Sequence, residues 1–489
     1  MVDRSTRERR RRRTLVPAAL VAFSLVAAAC GGDDDDGGAT EPTAEPTAEP
    51  TAEEPTAEEP TAEPTAEPTA EEPTAEEPTA EEPTAEEPTA EEPSGDGGVV
   101  DDKVVDFLAY VGGTAGAADS SMEPIKIGYL NQDGGAIVVS NTHDDGVDFA
   151  VRYINEEAGG IGGRPIEIVQ CFIANAEEEG QQCGQQFAND DEIVAVISGP
   201  TVTGTQSFYA ALAGSKPVVH GVSVSPVDLV QENAAVLNGG AMYILAPFAT
   251  FAQEVLGVES AALIYSEETQ SDAAAGQASA FETLGIDINV VSYSQNTPDL
   301  TQPLIAAGAQ EADLVMPVIA APECIRFAEA QRQLGIPDEK VLASPVCLSG
   351  AVLEGLGDWP LWYYAITSSL GADVTDPSVP PYQEILTAQG QEAHIADPWV
   401  LVGFAQALTL GKWLNAIGPD SVTPDAIQTE MKAFTGPLVL GSPVIACGKY
   451  SEAPGVCGDH TQFFRYNGGF AFENVSTFLP PPDGWEAPS

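Results

Sequence analysis

The chain has 489 residues, 19 Lys plus Arg against 75 Asp plus Glu, and a formal net charge of −56. From about Val99 onward 49 acids face 12 bases, a surface that repels phosphate backbones and excludes nucleic acid as a partner. That body is too long for one hydrophobic core and suits two domains of ordinary size.

Residues 1–30 read as a signal peptide. Arg4, Arg7 and Arg9 to Arg13 form a basic head, and Leu15 to Ala29 an apolar stretch too short to span a bilayer comfortably. Ala27-Ala28-Ala29-Cys30 is similar to a bacterial lipobox, which implies lipidation of Cys30 and a protein held on the outer face of the cell membrane. Ala27 stands where that pattern usually has Leu. Residues 31–97 follow, with Glu-Pro-Thr-Ala repeats from Glu41 to Pro93 and no aromatic or large aliphatic side chain among them. Such a segment cannot bury enough apolar surface to offset its ordering entropy. It reads as an extended tether with a reach on the order of 160 Å.

Of seven Cys, assigning Cys30 to lipid leaves six, an even number in an exported chain. Fifteen pairings are open; the local pattern favours Cys171–Cys183, Cys324–Cys347 and Cys447–Cys457. No Cys-x-x-Cys occurs and His143, His220, His394 and His460 are far apart in sequence, which argues against a metal site. No cofactor motif is found either.

Residues 98–123 form an extension, with a short helix expected over Val99 to Val111 and coil to Pro124. From Ile125 strand and helix alternate. Strands are expected at Ile125 to Leu130, Ile166 to Cys171, Ile193 to Ser198 and Pro217 to His220. Helices are expected at His143 to Ala158, Glu177 to Asp190 and Gly204 to Ala213. This order argues for a parallel sheet with helices on both faces. A helix over Leu245 to Leu256 opens a second α/β unit. Its strands are Ala261 to Tyr265, Ile286 to Tyr293, Leu314 to Ile319, Val341 to Ala343 and Tyr363 to Ile366. Its helices are Gln270 to Leu284, Thr301 to Ala309 and Pro322 to Leu334. Helices near Pro380 to Gln389, Pro398 to Ile417 and Pro424 to Phe434 follow, then a hairpin from Phe463 to Phe472.

One string is specific. Ala150-Val151-Arg152-Tyr153-Ile154-Asn155-Glu156, then Ala158-Gly159-Gly160-Ile161-Gly162-Gly163-Arg164-Pro165, resembles the first helix and turn of branched-chain amino-acid-type solute-binding proteins of ABC importers. Val194 to Gln206 is similar to the family's third strand and ligand loop. The resemblance implies an α/β type I periplasmic-binding fold of two lobes, each a mostly parallel sheet flanked by helices, with a hinge of crossing strands. Lobe 1 would take residues 124–246 and about 367–442, lobe 2 residues 247–366 and about 443–479, with 480–489 a tail. It implies a monomer that captures a small polar solute, an amino acid, amide or related organic compound, by closing and hands it to permease subunits. The alternative is a ligand-binding component of a signalling system. No enzyme is expected, since no Gly-x-Ser-x-Gly, His-Glu-x-x-His or phosphate loop occurs.

Ligands of such sheets sit beyond the carboxyl ends of the strands. Four loops qualify: Asn131 to Gly135, Ser198 to Thr205, Gly221 to Ser225 and Ser266 to Ser271. The candidate contacts are Gln132, Asp133, Ser198, Thr201, Thr203, Val222, Ser223 and Gln270. The second loop opens a helix, so free N–H groups there are expected to suit a carboxylate or another polar group. Amino-acid-binding members of the family place a Thr where Val224 falls, a Tyr where Gln270 falls, and an acid where Thr297-Pro298 falls. These departures point away from an ordinary α-amino acid and leave a urea-like amide, an organic acid or a hydrophobic metabolite open.

Overall fold

A computed structural model describes residues 99–100, 102–135 and 140–488. The signal peptide, Cys30 and the tether lie outside the described residues.

The chain opens on a two-strand hairpin, β1 (Val99–Val100) and β2 (Lys103–Val104), followed by α1 (Phe107–Val111). The helix expected from Val99 is thus confined to five residues. Asp102 turns the hairpin at φ 62°, and the Asp106 carboxylate accepts the Ala109 N–H at 2.9 Å, so the helix starts only there.

The first sheet runs β4-β3-β5-β6-β7, all parallel: β4 (Ile166–Ile173), β3 (Ile125–Gln132), β5 (Ile193–Ser198), β6 (Val218–His220) and β7 (Ala234–Val236). Central β3 is buried almost throughout, with only Lys126 partly exposed, as a central strand covered by helices on both faces requires. On one face α2 (His143–Glu156) packs on the long α13 (Pro398–Ile417). Their approach depends on two reciprocal glycines. A Cβ on Gly146 would stand 2.1 Å from the Val400 carbonyl oxygen, and one on Gly403 2.3 Å from that of His143. By length and hydropathy α13 could cross a membrane, but it is mostly buried here as the core helix. On the other face lie α3 (Glu177–Asn189) and α4 (Thr205–Leu212). The turn after α2 holds Gly159 and Gly160 at φ 76° and 68°, a left-handed path only glycine takes cheaply.

Directly after β6 one helix and one strand are unmarked by the sequence pattern, α5 (Pro226–Leu229) and β7, because each is only three or four residues long. The helix expected over 245–256 is broken into α6 (Ala241–Leu245), α7 (Pro247–Phe251) and a π-turn (Ala252–Leu256), because Pro247 has no N–H to continue the ladder.

In the second half β9 (Asp287–Tyr293), β8 (Ser260–Ser266) and β10 (Leu314–Val318) are parallel neighbours, and a Val315–Val341 bridge extends them toward β11 (Leu342–Ala343). Then come β12 (Tyr363–Ile366), parallel to β11, and the antiparallel β13 (Gln462–Tyr466) and β14 (Phe472–Asn474). Helices α8 (Glu267–Thr283), α9 (Thr301–Ala306), α10 (Ala321–Leu334) and α11 (Gly350–Leu356) flank them. Helices α12 (Val379–Ala388) and α14 (Pro424–Ala433) return to the first core beside α13. α9 stops three residues short of the expected end, where Gly308 takes φ 70°.

The chain passes between the two sheets three times: after β7, after β12, and again before β13. Two of these passes pair, Ser368 with Gly441, while Val456 bridges Val236 at the edge of the first sheet. The three disulfides are all local: Cys171–Cys183 ties β4 to α3, Cys324–Cys347 ties α10 to a following turn, and Cys447–Cys457 closes a loop on the third pass. Within residues 480–488 the chain packs back on the second half. Trp485 is 7 % exposed, and its indole N–H donates to Ser279 Oγ at 2.9 Å on α8.

Candidate functional site

In a parallel sheet the strands end together, so β3, β5 and β6 bring three of the four candidate loops to one edge of the first sheet. Leu130 pairs with Ser198 and Ser198 with His220. The loops are therefore neighbours, and the structure shows what each candidate side chain does there.

Gln132 is fully buried and ties the first loop to the second. Its Oε1 accepts the N–H groups of Val202 at 2.7 Å and Thr203 at 3.1 Å. The next amide, Gly204, donates to Glu177 Oε1 at 2.9 Å, and Ser207 Oγ donates to Glu177 Oε2 at 2.8 Å. The Gly204 N–H, then the Ser207 hydroxyl, hold the Glu177 carboxyl below the usual range. Of the N–H groups expected to be free in this loop, those of Val202, Thr203 and Gly204 are taken by a carboxamide and a carboxylate of the chain itself. Sequence could not show this, because Gln132 and Glu177 lie 70 and 27 residues from their partners.

Thr201 is buried and its Oγ1 lies 3.1 Å from Thr205 Oγ1. Ser198 is buried too, its hydroxyl donating to Gly199 O at 3.0 Å. Behind it stands a polar triad that sequence reasoning missed. Gln406 of α13 donates to Ser198 O at 3.1 Å and also to Val219 O, while its Oε1 is 2.9 Å from His143 Nε2; His143 Nδ1 is 3.0 Å from the Tyr129 hydroxyl. Because Gln406 Oε1 can only accept, His143 carries its proton on Nε2 and accepts from Tyr129. Burial lowers the His143 pKa to about 4, so the ring is neutral.

In the third loop Ser223 Oγ lies 2.7 Å from both Asp228 Oδ2 and Ser225 O. His220 is buried at the end of β6, with Nε2 2.7 Å from the Tyr209 hydroxyl and 3.5 Å from Asp228 Oδ1. Burial lowers the His220 pKa and raises that of Asp228. Ser, Asp and His thus meet, but the serine hydroxyl reaches the carboxylate and not the imidazole. That is not the arrangement that activates a nucleophile. The cluster fastens the end of β6 to α4 and α5.

Two connected α/β halves, with the Gly-rich turn at 159–163 and polar strand-end loops in each, are now in view, and residues 124–449 match the family described as periplasmic binding protein. The chain belongs to that family. Its members are extracytoplasmic solute-binding proteins of ABC transporters. Solved structures with the same fold include a leucine-binding protein from Thermotoga maritima (16 % identity, 73 % of this chain and 99 % of that one, TM-score 0.56). An ABC transporter substrate-binding protein from Sphaerobacter thermophilus gives 20 % identity over 75 % and 99 %, with a TM-score of 0.61. A fatty acid ABC transporter substrate-binding protein from Thermomonospora curvata gives 13 % over 77 % and 98 %, with a TM-score of 0.56. No curated protein sequence matches the chain.

In this periplasmic binding protein the fourth loop belongs to the other half. Helix α8 begins at Glu267, three residues before the expected start, which places Gln270 half-exposed on its first turn. Ser266 ends β8 fully buried, and its hydroxyl has no hydrogen-bond partner among the described residues. Glu268 accepts from Ser294 Oγ at 2.7 Å and from Gln295 N at 2.8 Å, within its own half. Asp133 is exposed and accepts its neighbour's Gly134 N–H at 2.6 Å; Val222 is half-buried. Of the eight candidates, then, Gln132, Ser198, Thr201 and Ser223 are buried and serve the loops, whereas Asp133, Thr203, Val222 and Gln270 keep solvent access. A separate cavity of about 320 Å³, lined by Val99, Tyr110, Lys412 and Pro437, lies at the seam with the N-terminal hairpin, away from all four loops.

Proposed function

We propose that the chain is an extracytoplasmic solute-binding lipoprotein, held at the membrane through Cys30 and the 31–97 tether. It captures a small organic solute between residues 124–246 with 367–442 and residues 247–366 with 443–479, and delivers it to an ABC permease as a monomer. The observation that supports this reading is the pairing of two separate sheets, each ending in polar loops, joined only by three passes of chain. Such thin connections let two halves rotate as rigid bodies, and a solute that touches both halves favours the closed form.

The test is a thermal-shift screen of the mature protein against amino acids, amides, organic acids and small apolar metabolites, followed by small-angle scattering. A ligand at about a hundred times its Kd adds about 2.7 kcal/mol to stability and raises Tm in a saturable way. The expected result is a compound that does so and also contracts the particle. A compound that stabilises without contraction, or no stabilising compound, would overturn the reading.

A further inference from the structure

We infer that the captured solute is uncharged, with an apolar body and a hydroxyl or carboxamide handle, and that carboxylates are rejected. This rests on the solute-binding reading above and narrows it.

The natural place for an anion at these loops is the start of α4, where backbone N–H groups and the helix dipole coincide. The approach to it is occupied from within: Gln132 Oε1 takes the Val202 and Thr203 amides just before the helix, and the Glu177 carboxylate takes the Gly204 amide at its N-cap and the Ser207 hydroxyl in its first turn. A ligand carboxylate would have to displace a buried carboxamide and then sit against the Glu177 carboxylate. Nor is there a compensating cation. Among the described residues, the loops at the carboxyl ends of β3, β4, β5, β6, β8, β9, β10 and β12 contain no Lys or Arg. Arg326 is near one of them, but its guanidinium is committed to Gln295 O at 3.0 Å, to Thr297 O and to Glu323.

The first loop carries Asp133, and the first turns of α8 carry Glu267, Glu268 and Asp272, all exposed. They repel an approaching anion, yet in full solvent they offer an ammonium little, since exposed ion pairs are weak. What remains for contact is neutral. Val202 is 49 % and Val224 39 % exposed and Val222 is half-buried, so the second and third loops each present apolar side chains to solvent. Thr203 and Gln270 keep solvent access, and the buried Ser266 hydroxyl lacks a partner. A buried hydroxyl left unpaired is costly, and a ligand hydroxyl or amide relieves that cost.

The experiment uses two matched series on the mature protein by calorimetry: benzoate, benzamide and benzylamine, then hexanoate, hexanamide and hexylamine. The expected result is that the carboxamide of at least one series binds at least about tenfold tighter than its acid and its amine. An acid or amine that binds tightest would overturn the inference. If these six and every compound of the wider screen fail to bind, the solute-binding reading falls instead, so the two failures are separable. A second readout needs no true ligand: acetate is titrated into protein with labelled backbone amides. In the wild type the Val202, Thr203 and Gly204 signals should not move, and in Gln132→Ala those of Val202 and Thr203 should shift and saturate. Saturable shifts of these amides in the wild type would overturn the inference whether or not the variant folds.

Discussion

His143 provides a quantitative test of the polar triad behind the strand ends. Its ring is buried, bonded to Tyr129 and Gln406, and its pKa falls from 6.5 to about 4. The sign follows from proton counting. Between these two values the unfolded chain binds a proton that the folded chain refuses, so stability falls as pH falls through that window. From about pH 8 to about pH 4.5 this one group should remove roughly 2.5 kcal/mol of folding stability. The perturbation is His143→Gln, which keeps a polar side chain and removes the titration. Urea unfolding of both proteins across that range cancels the shared contribution of the many acids. The variant starts less stable at high pH, because its fit to Gln406 and Tyr129 is imperfect, but loses about 2.5 kcal/mol less on acidification. Parallel pH profiles for the two proteins would refute a buried neutral His143 in the native fold.

Four further outcomes are expected. Gly146→Ala places a methyl group against the Val400 carbonyl and should cost about 1–3 kcal/mol in chemical unfolding, with the ligand profile unchanged. Trp485→Ala removes a ring that packs on Tyr243 at 5.9 Å and bonds Ser279, and should cost about 3 kcal/mol, which a loose tail would not. Lys103→Met leaves Asp376, which Lys103 meets at 3.0 Å, without its cation. Burial alone would raise the Asp376 pKa, but Lys103 and the hydroxyls of Ser369 and Ser378 outweigh it and hold it low. The wild-type pair therefore adds stability above the ordinary carboxylate range that fades as pH falls through the lowered value. The variant should lose about 1–3 kcal/mol near neutrality, and less in acid. Cys30→Ala should move the protein from the membrane fraction to the medium, as read by fractionation and by loss of radiolabelled palmitate.

The alternation of strands and helices was legible because period and length suffice to mark elements such as Ile193–Ser198 and Pro398–Ile417, both of which the structure places at the expected residues. Short elements escaped: β7 is three residues of Ala and Val, and it is a strand only because β6 and the Val456 segment pair with it. The break at Pro247 was readable in principle, since a proline inside an apolar helical run marks a boundary. At the strand ends the sequence located the loops but not the allegiance of their side chains. Ser223 and Thr201 look like ligand hydroxyls in a linear string, and only the fold reveals Asp228 and Thr205 as their partners. Gln406 gave no signal at all, because one polar residue among several in a mostly apolar helix, with Thr409, Lys412 and Asn415, is as consistent with a surface as with a buried bridge.

These networks share a consequence. Gln132, the His143–Gln406 pair and the His220–Asp228–Ser223 cluster all act on the ends of β3, β5 and β6, and each is bonded wholly within the chain. Such a surface is already ordered, so on the proposed reading a solute meeting it forfeits little loop entropy and must complement a fixed shape. The second half is different: residues 267–269 are exposed, and the Ser266 hydroxyl is unpaired. On that reading the solute docks on the ordered first half and closure of the second supplies the last polar contacts, so that the unpaired Ser266 hydroxyl, satisfied only by a solute of the right polarity, would act as a selectivity element rather than a defect.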